Sequence, residues 1–145
     1  MVSMTTKVEI AYEPDTATAV ERPVWLARVP AGFPSPADDY LEGKLDLNQH
    51  LIKHPAATYF VRVTGDSMIG AGIHSGDLLV VDRSLEPADN SVVIAIVDGE
   101  LTVKRLSTRQ GRPWLLPDND KYPPVEVRED SLQIWGVVTH VIHKV

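Results

Sequence analysis

The sequence predicts a mostly-β domain, entered through an extended N-terminal arm and one or two short helices. Three observations predict it. Proline is concentrated early, at Pro14, Pro23, Pro30, Pro34 and Pro36. Short β-branched runs bounded by turn residues begin near Thr58 and recur to the C-terminus. Between these stretches lie two helix-start patterns, opening on Ser35 and Asp46.

Proline lacks an amide donor and blocks long helices. Residues 1–36 therefore read as an extended arm, with one short strand near Lys7–Tyr12. Trp25 and Val29 are apolar enough to dock on a surface, and a disordered tail is the plain alternative. Ser35 suits a helix cap, Pro36 the first helical position, and Asp38 follows three residues after the cap. Gly43 is expected to interrupt that helix. A second start follows at Asp46, with Gln49 three residues on, and Leu47, Leu51 and Ile52 share one face until Pro55.

The strand runs are Tyr59–Val63, Leu78–Val81, Val92–Val97 and Leu101–Leu106, then Trp114–Leu116, Val125–Val127 and Leu132–Ile142. Asp98–Gly99 separates two of them and suits a two-residue type I′ hairpin, in which both central residues need positive φ.

Composition excludes several function classes. There are no cysteines, so disulfides, thiolate metal sites and cysteine nucleophiles are ruled out. The formal net charge is −6, from 14 basic and 20 acidic residues, and the longest basic run is Lys104–Arg105. An acidic domain without a basic stripe is poorly suited to gripping phosphates, so direct sequence-specific DNA binding is not expected. The longest apolar run, Val92–Val97, is far below the roughly 20 residues of a membrane span. The expectation is a cytoplasmic protein without a membrane anchor.

Two residues invite a chemical reading. Ser67 lies in Gly65-Asp66-Ser67-Met68, directly after an apolar strand. A serine on such a turn is rigidly placed, and the turn's amides can converge on one spot, as an oxyanion site requires. A plain Gly-Asp-Ser turn has the same local sequence. Lys104 lies on the return strand of the Asp98–Gly99 hairpin, sharing a face with Thr102 and Leu106. Its partner strand is apolar on both faces, which points to desolvation and a pKa below the ordinary value of about 10.4. A neutral lysine can act as a general base. An edge-strand lysine with its ammonium in water is the ordinary alternative.

Taken together, these segments resemble a known family. Phe60–Asp82, FVRVTGDSMIGAGIHSGDLLVVD, resembles the serine segment of the UmuD/LexA family of self-cleaving serine–lysine proteases, with its Gly-Asp at Gly76–Asp77. Ala95–Leu106, AIVDGELTVKRL, resembles the lysine segment, at a family-like separation. Val29–Pro36, VPAGFPSP, resembles the cleavage segment, in which a small residue precedes glycine. The resemblance is greatest with the UmuD branch and runs from Val29 to the C-terminus. Ala31 stands where some UmuD proteins carry cysteine, and the arm before it is a few residues longer.

The resemblance implies a protease domain with strongly bent sheets. It implies Ser67 as nucleophile, Lys104 as general base, and the backbone amides of Asp66 and Ser67 as the oxyanion site. The substrate would be the chain's own Ala31–Gly32 bond, dividing it into an arm, 1–31, and a protease and dimerisation domain, 32–145. It further implies cleavage stimulated by a RecA–single-stranded-DNA filament, a homodimer, and a UmuC-type translesion polymerase as partner in the SOS response. No metal and no other cofactor is called for.

Other motifs read as structural. His50 and His54 sit at i, i+4 spacing without a recognised third ligand, and His140 and His143 are expected on opposite sides of a strand. Asp118-Asn119-Asp120 reads as a turn rather than a calcium loop. Trp114 and Trp135 read as core aromatics. Two other functions share the expected fold: a non-catalytic regulatory module whose arm simply docks, and a LexA-like repressor fragment. The second lacks a helix-turn-helix pattern before Gly32.

Overall fold

The computed structural model describes residues 5–17, 21–25, 41–128 and 131–145. It divides into two units, Met1–Pro14 with His54–Val145, and Asp15–Lys53.

The larger unit is one eight-stranded antiparallel sheet. Its strands are β1 (Lys7–Tyr12), β4 (Thr58–Thr64), β5 (Leu78–Asp82), β6 (Val92–Val97), β7 (Glu100–Arg109), β8 (Arg112–Leu116), β9 (Val125–Glu126) and β10 (Ile134–Ile142). Their order across the sheet is β1-β4-β5-β10-β6-β7-β8-β9. Lys7 of β1 also pairs with Thr102 of β7. β1 therefore has β4 along one side and β7 at its start on the other, and the sheet curls back on itself in a barrel-like curve.

Burial follows the expected pleat. Val61 and Val63 alternate inward on β4, while Leu79, Val80 and Val81 of β5 are buried on both faces. Val61, Val63, Met68, Ile73, Leu79, Val81, Ile94 and Val103 form one apolar cluster, and Val93, Ala95, Leu106, Leu115 and Val137 a second. Each large aliphatic side chain so buried contributes about 1.5–3 kcal/mol against its exposed state. The hairpin after β6 turns as predicted, with φ of 50° at Asp98 and 79° at Gly99.

Val92–Val97 matches its predicted bounds, as does the short strand Lys7–Tyr12. The strand expected from Leu132 begins at Ile134. Trp114 and Trp135 are not fully in the core. Trp135 is half-buried between Tyr59, at 5.3 Å between ring centroids, and the Arg83 guanidinium, at 4.5 Å. Trp114 is also half-buried and lies beneath Arg109. Each ring gains a cation–π partner that full burial would deny it.

In the smaller unit, β2 (Glu21–Trp25) pairs antiparallel with β3 (Leu41–Asp46), and α1 (Leu47–Leu51) follows. The Asp46 carboxylate accepts from the Asn48 amide and caps α1 as predicted. The start of the helix expected at Ser35 lies outside the described residues. From Leu41 on, its continuation is strand. A capping pattern specifies only local preference, and Leu41–Asp46 finds a backbone partner in Glu21–Trp25. Leu47 is 60% exposed, so the apolar face predicted for α1 is not buried as one stripe.

Candidate active site

Ser67 is set by the loop between β4 and β5. Gly65 turns the chain out of β4 at a φ of 101°, which glycine alone adopts without strain. The loop is closed at its base, where the Gly76 amide donates to the Val63 carbonyl at 2.8 Å and the Val63 amide to the Asp77 carbonyl at 3.1 Å. Ser67 and Met68 are then completely buried.

A second segment, Asp118–Tyr122, braces this loop. The Asp118 amide donates to the Ser67 carbonyl at 2.8 Å, and the Gly70 amide donates to the Asp118 carbonyl at 2.8 Å. The Asn119 side-chain amide donates to the Asp66 carbonyl at 2.9 Å, and the Tyr122 hydroxyl to the Asp66 carboxylate at 2.5 Å. Arg105, next to Lys104 on β7, donates to the Asp118 carboxylate at 3.0 Å. Sequence reading found only a turn here. The bracing residues carry no chemical signature, because their role is to reach a loop some fifty positions earlier in the chain.

Lys104 stands on β7 opposite Val93 of β6. It is 5% exposed, and desolvation holds its pKa below the ordinary lysine value. Among the described residues it makes no ion pair. Burial penalises the ammonium form relative to water, which is the direction a lysine base needs.

Thr6 joins the two segments. Its amide donates to the Ser67 hydroxyl oxygen at 2.7 Å, and its carbonyl accepts from the amide of Val103, the neighbour of Lys104, at 3.0 Å. Thr6 is completely buried, and its own hydroxyl oxygen has no hydrogen-bond partner. Sequence reading gave Thr6 no part in the site.

Asp66 is half-buried on the Ser67 turn. Ala31 and Gly32 lie outside the described residues. Of the histidines, His54 pairs with Asp82 at 2.5 Å. Burial raises the Asp82 pKa, but hydrogen bonds from Ser84 and His54 outweigh it and hold the carboxyl below 3.8. His143 lies beyond the end of β10 and meets the buried Asp77 at 2.5 Å, with the His74 ring 4.9 Å away. The ligand atoms of His74, Asp77 and His143 lie within 4.8 Å of one another, a set that imidazole-binding divalent metals could use. Both Asp77 oxygens are already engaged, one by His143 and the other by the His74 amide at 2.8 Å, so the group is also satisfied as a hydrogen-bonded clasp. Among the described residues, no helix is long and apolar enough to cross a membrane.

Comparison with known proteins agrees with this architecture. The model of the family described as Peptidase S24-like matches residues 23–139. The chain is 54% identical over 132 residues to Protein SamA of Salmonella typhimurium, covering 91% of this chain and 90% of that one. It is 48% identical over 141 residues to Protein ImpA of Escherichia coli, covering 97% of each. It is 43% identical over 121 residues to the LexA repressor of Acidithiobacillus ferrooxidans, covering 81% of this chain and 58% of the repressor. The chain belongs to the peptidase S24-like family, the UmuD/LexA group of self-cleaving serine proteases.

Proposed function

We propose that this chain cuts itself between Ala31 and Gly32 with a Ser67/Lys104 dyad. One observation carries the reading: a buried serine hydroxyl and a buried, desolvated lysine belong to segments tied to the same residue, Thr6. In the proposed sequence, neutral Lys104 takes the Ser67 hydroxyl proton as the oxygen attacks the Ala31 carbonyl. The amides of Asp66 and Ser67 stabilise the oxyanion. The bond to Gly32 breaks, Lys104 returns the proton to the Gly32 amine, and residues 1–31 remain as an ester on Ser67. Water, deprotonated by Lys104, then hydrolyses that ester and frees Ser67. Small side chains at Ala31 and Gly32 let the backbone approach closely. Tethering supplies a high effective concentration, so the site needs little general specificity.

The division into an arm, 1–31, and a domain, 32–145, follows from this cut. By likeness to the family, we extend the reading to a homodimer in the cytoplasm whose cleavage is stimulated by a RecA–single-stranded-DNA filament. The cut form would serve a UmuC-type translesion polymerase in SOS mutagenesis. Mass spectrometry of purified protein across a pH series tests the cut. Desolvation lowers the Lys104 pKa, so the neutral fraction and the cleavage rate should rise with pH, with a midpoint below that of an ordinary lysine. Ser67→Ala and Lys104→Ala should each leave the mass intact. Cleavage persisting in either variant, or absent from the parent at every pH and with filament added, would overturn the reading.

A further inference from the structure

A strand from the start of this chain already lies against the Ser67 hydroxyl. β1 lies against β4 through a five-pair register from Lys7–Thr64 to Tyr12–Phe60, and Lys7 reaches Thr102 of β7. Val8 packs on the main apolar cluster. Thr6 places its amide on the nucleophilic oxygen and its carbonyl on the Val103 amide. Attack needs the scissile carbonyl carbon within about 3–3.5 Å of that same oxygen, with a lone pair free to point at it. Ser67 is completely buried with Thr6 in place, and one of the two lone pairs of its hydroxyl oxygen accepts from the Thr6 amide, which stands 2.7 Å away on the side a substrate carbonyl would need. Two backbones cannot occupy that position together.

We infer that residues Thr5–Tyr12 form a strand-shaped plug, an internal competitor that must leave the groove between β4 and β7 before Ala31–Gly32 can enter it. The inference rests on the Ser67/Lys104 reading above and names how that site is regulated. The plug is built to be reversible. Its strand is bulged at Glu9, Ile10 and Tyr12 are 47% and 44% exposed, and Thr6 leaves a buried hydroxyl oxygen without a partner. A buried polar atom without a hydrogen bond destabilises the seated strand, which favours its release. The observed cleavage rate is then the intrinsic rate multiplied by the fraction of molecules with the groove open. A stimulating partner that holds β1 away would raise that fraction without altering the dyad.

Two variants test the plug, with self-cleavage followed by mass at one alkaline pH. Thr6→Pro removes the amide donated to Ser67 and keeps the rest of the chain. Deleting residues 1–12 removes the whole strand. Thr6→Pro should cleave about five- to tenfold faster than the parent, the scale of one net hydrogen bond, and the deletion faster still. A synthetic peptide of residues 4–13 added to the deletion variant should slow it again. If the parent is cut through Ser67 but neither variant is faster, the plug is wrong and the protease reading stands. If the parent is never cut, or is cut equally well as Ser67→Ala, the protease reading fails and takes the plug with it.

Discussion

Ser67 and Lys104 are held in opposite ways. Lys104 sits in a regular ladder, where its face and its neighbours follow from the register of β7 on β6. Ser67 sits in an irregular loop whose position depends on Asp118, Asn119 and Tyr122, all distant in sequence. A strand supplies a buried, rigidly placed amine at the cost of desolvating it. A loop supplies a turn that can present amides and a hydroxyl, but only when other segments brace it. Lys104 is thus sensitive to its medium and Ser67 to its supports.

Three substitutions would break or sharpen this contrast. The largest effect is expected at Gly70, where a Cβ atom would meet the Asp118 carbonyl oxygen at 2.8 Å. Gly70→Val should destabilise the protein by about 2–3 kcal/mol, measured by denaturant unfolding, and slow cleavage because Asp118 also holds the Ser67 carbonyl. Equal stability with an unchanged rate would show that the brace is dispensable.

Lys104→Met comes next and should act in the other direction on stability. It should abolish cleavage yet stabilise the fold by about 1 kcal/mol or more at neutral pH, because a desolvated amine is replaced by an apolar side chain of similar length. The pH dependence has a definite sign. The folded-state pKa of Lys104 is below 10.5, so the unfolded chain binds more protons between the two values. The parent therefore gains stability as pH rises through that window, and the advantage of Lys104→Met should shrink there. An advantage constant with pH would mean that the amine is solvated.

The smallest effect is expected from Tyr122→Phe, which removes only the hydroxyl bonded to the Asp66 carboxylate. A loss of about 1 kcal/mol is the scale of one net hydrogen bond in a half-buried site. Cleavage should slow severalfold while the pH at which it levels off stays unchanged, since Lys104 is untouched. A displaced pH profile would show that the two regions are electrically coupled.

Much of the fold was legible because strands and hairpins are local patterns. Val92–Val97, Lys7–Tyr12 and the Asp98–Gly99 turn follow from β-branched runs and from residues that accept positive φ. The continuation from Leu41 went wrong for a related reason: Leu41–Asp46 takes its conformation from a distant strand, not from its own cap and glycine. His143 was read as part of a strand, yet it reaches back to Asp77, and Trp135 packs on the main cluster only half-buried, as Trp114 is half-buried.

By itself the sequence determined the strand texture, the acidic and cysteine-free character, and the two residues worth suspecting of chemistry. Those are properties of short windows, in which side-chain alternation and turn chemistry act within a few residues. Only the tertiary structure decided that Asp118–Tyr122 braces the Ser67 loop and that Thr6 rests on the Ser67 hydroxyl. Backbone amides and carbonyls do this work, every residue type but proline carries both, and which of them meet is set by how the whole sheet closes.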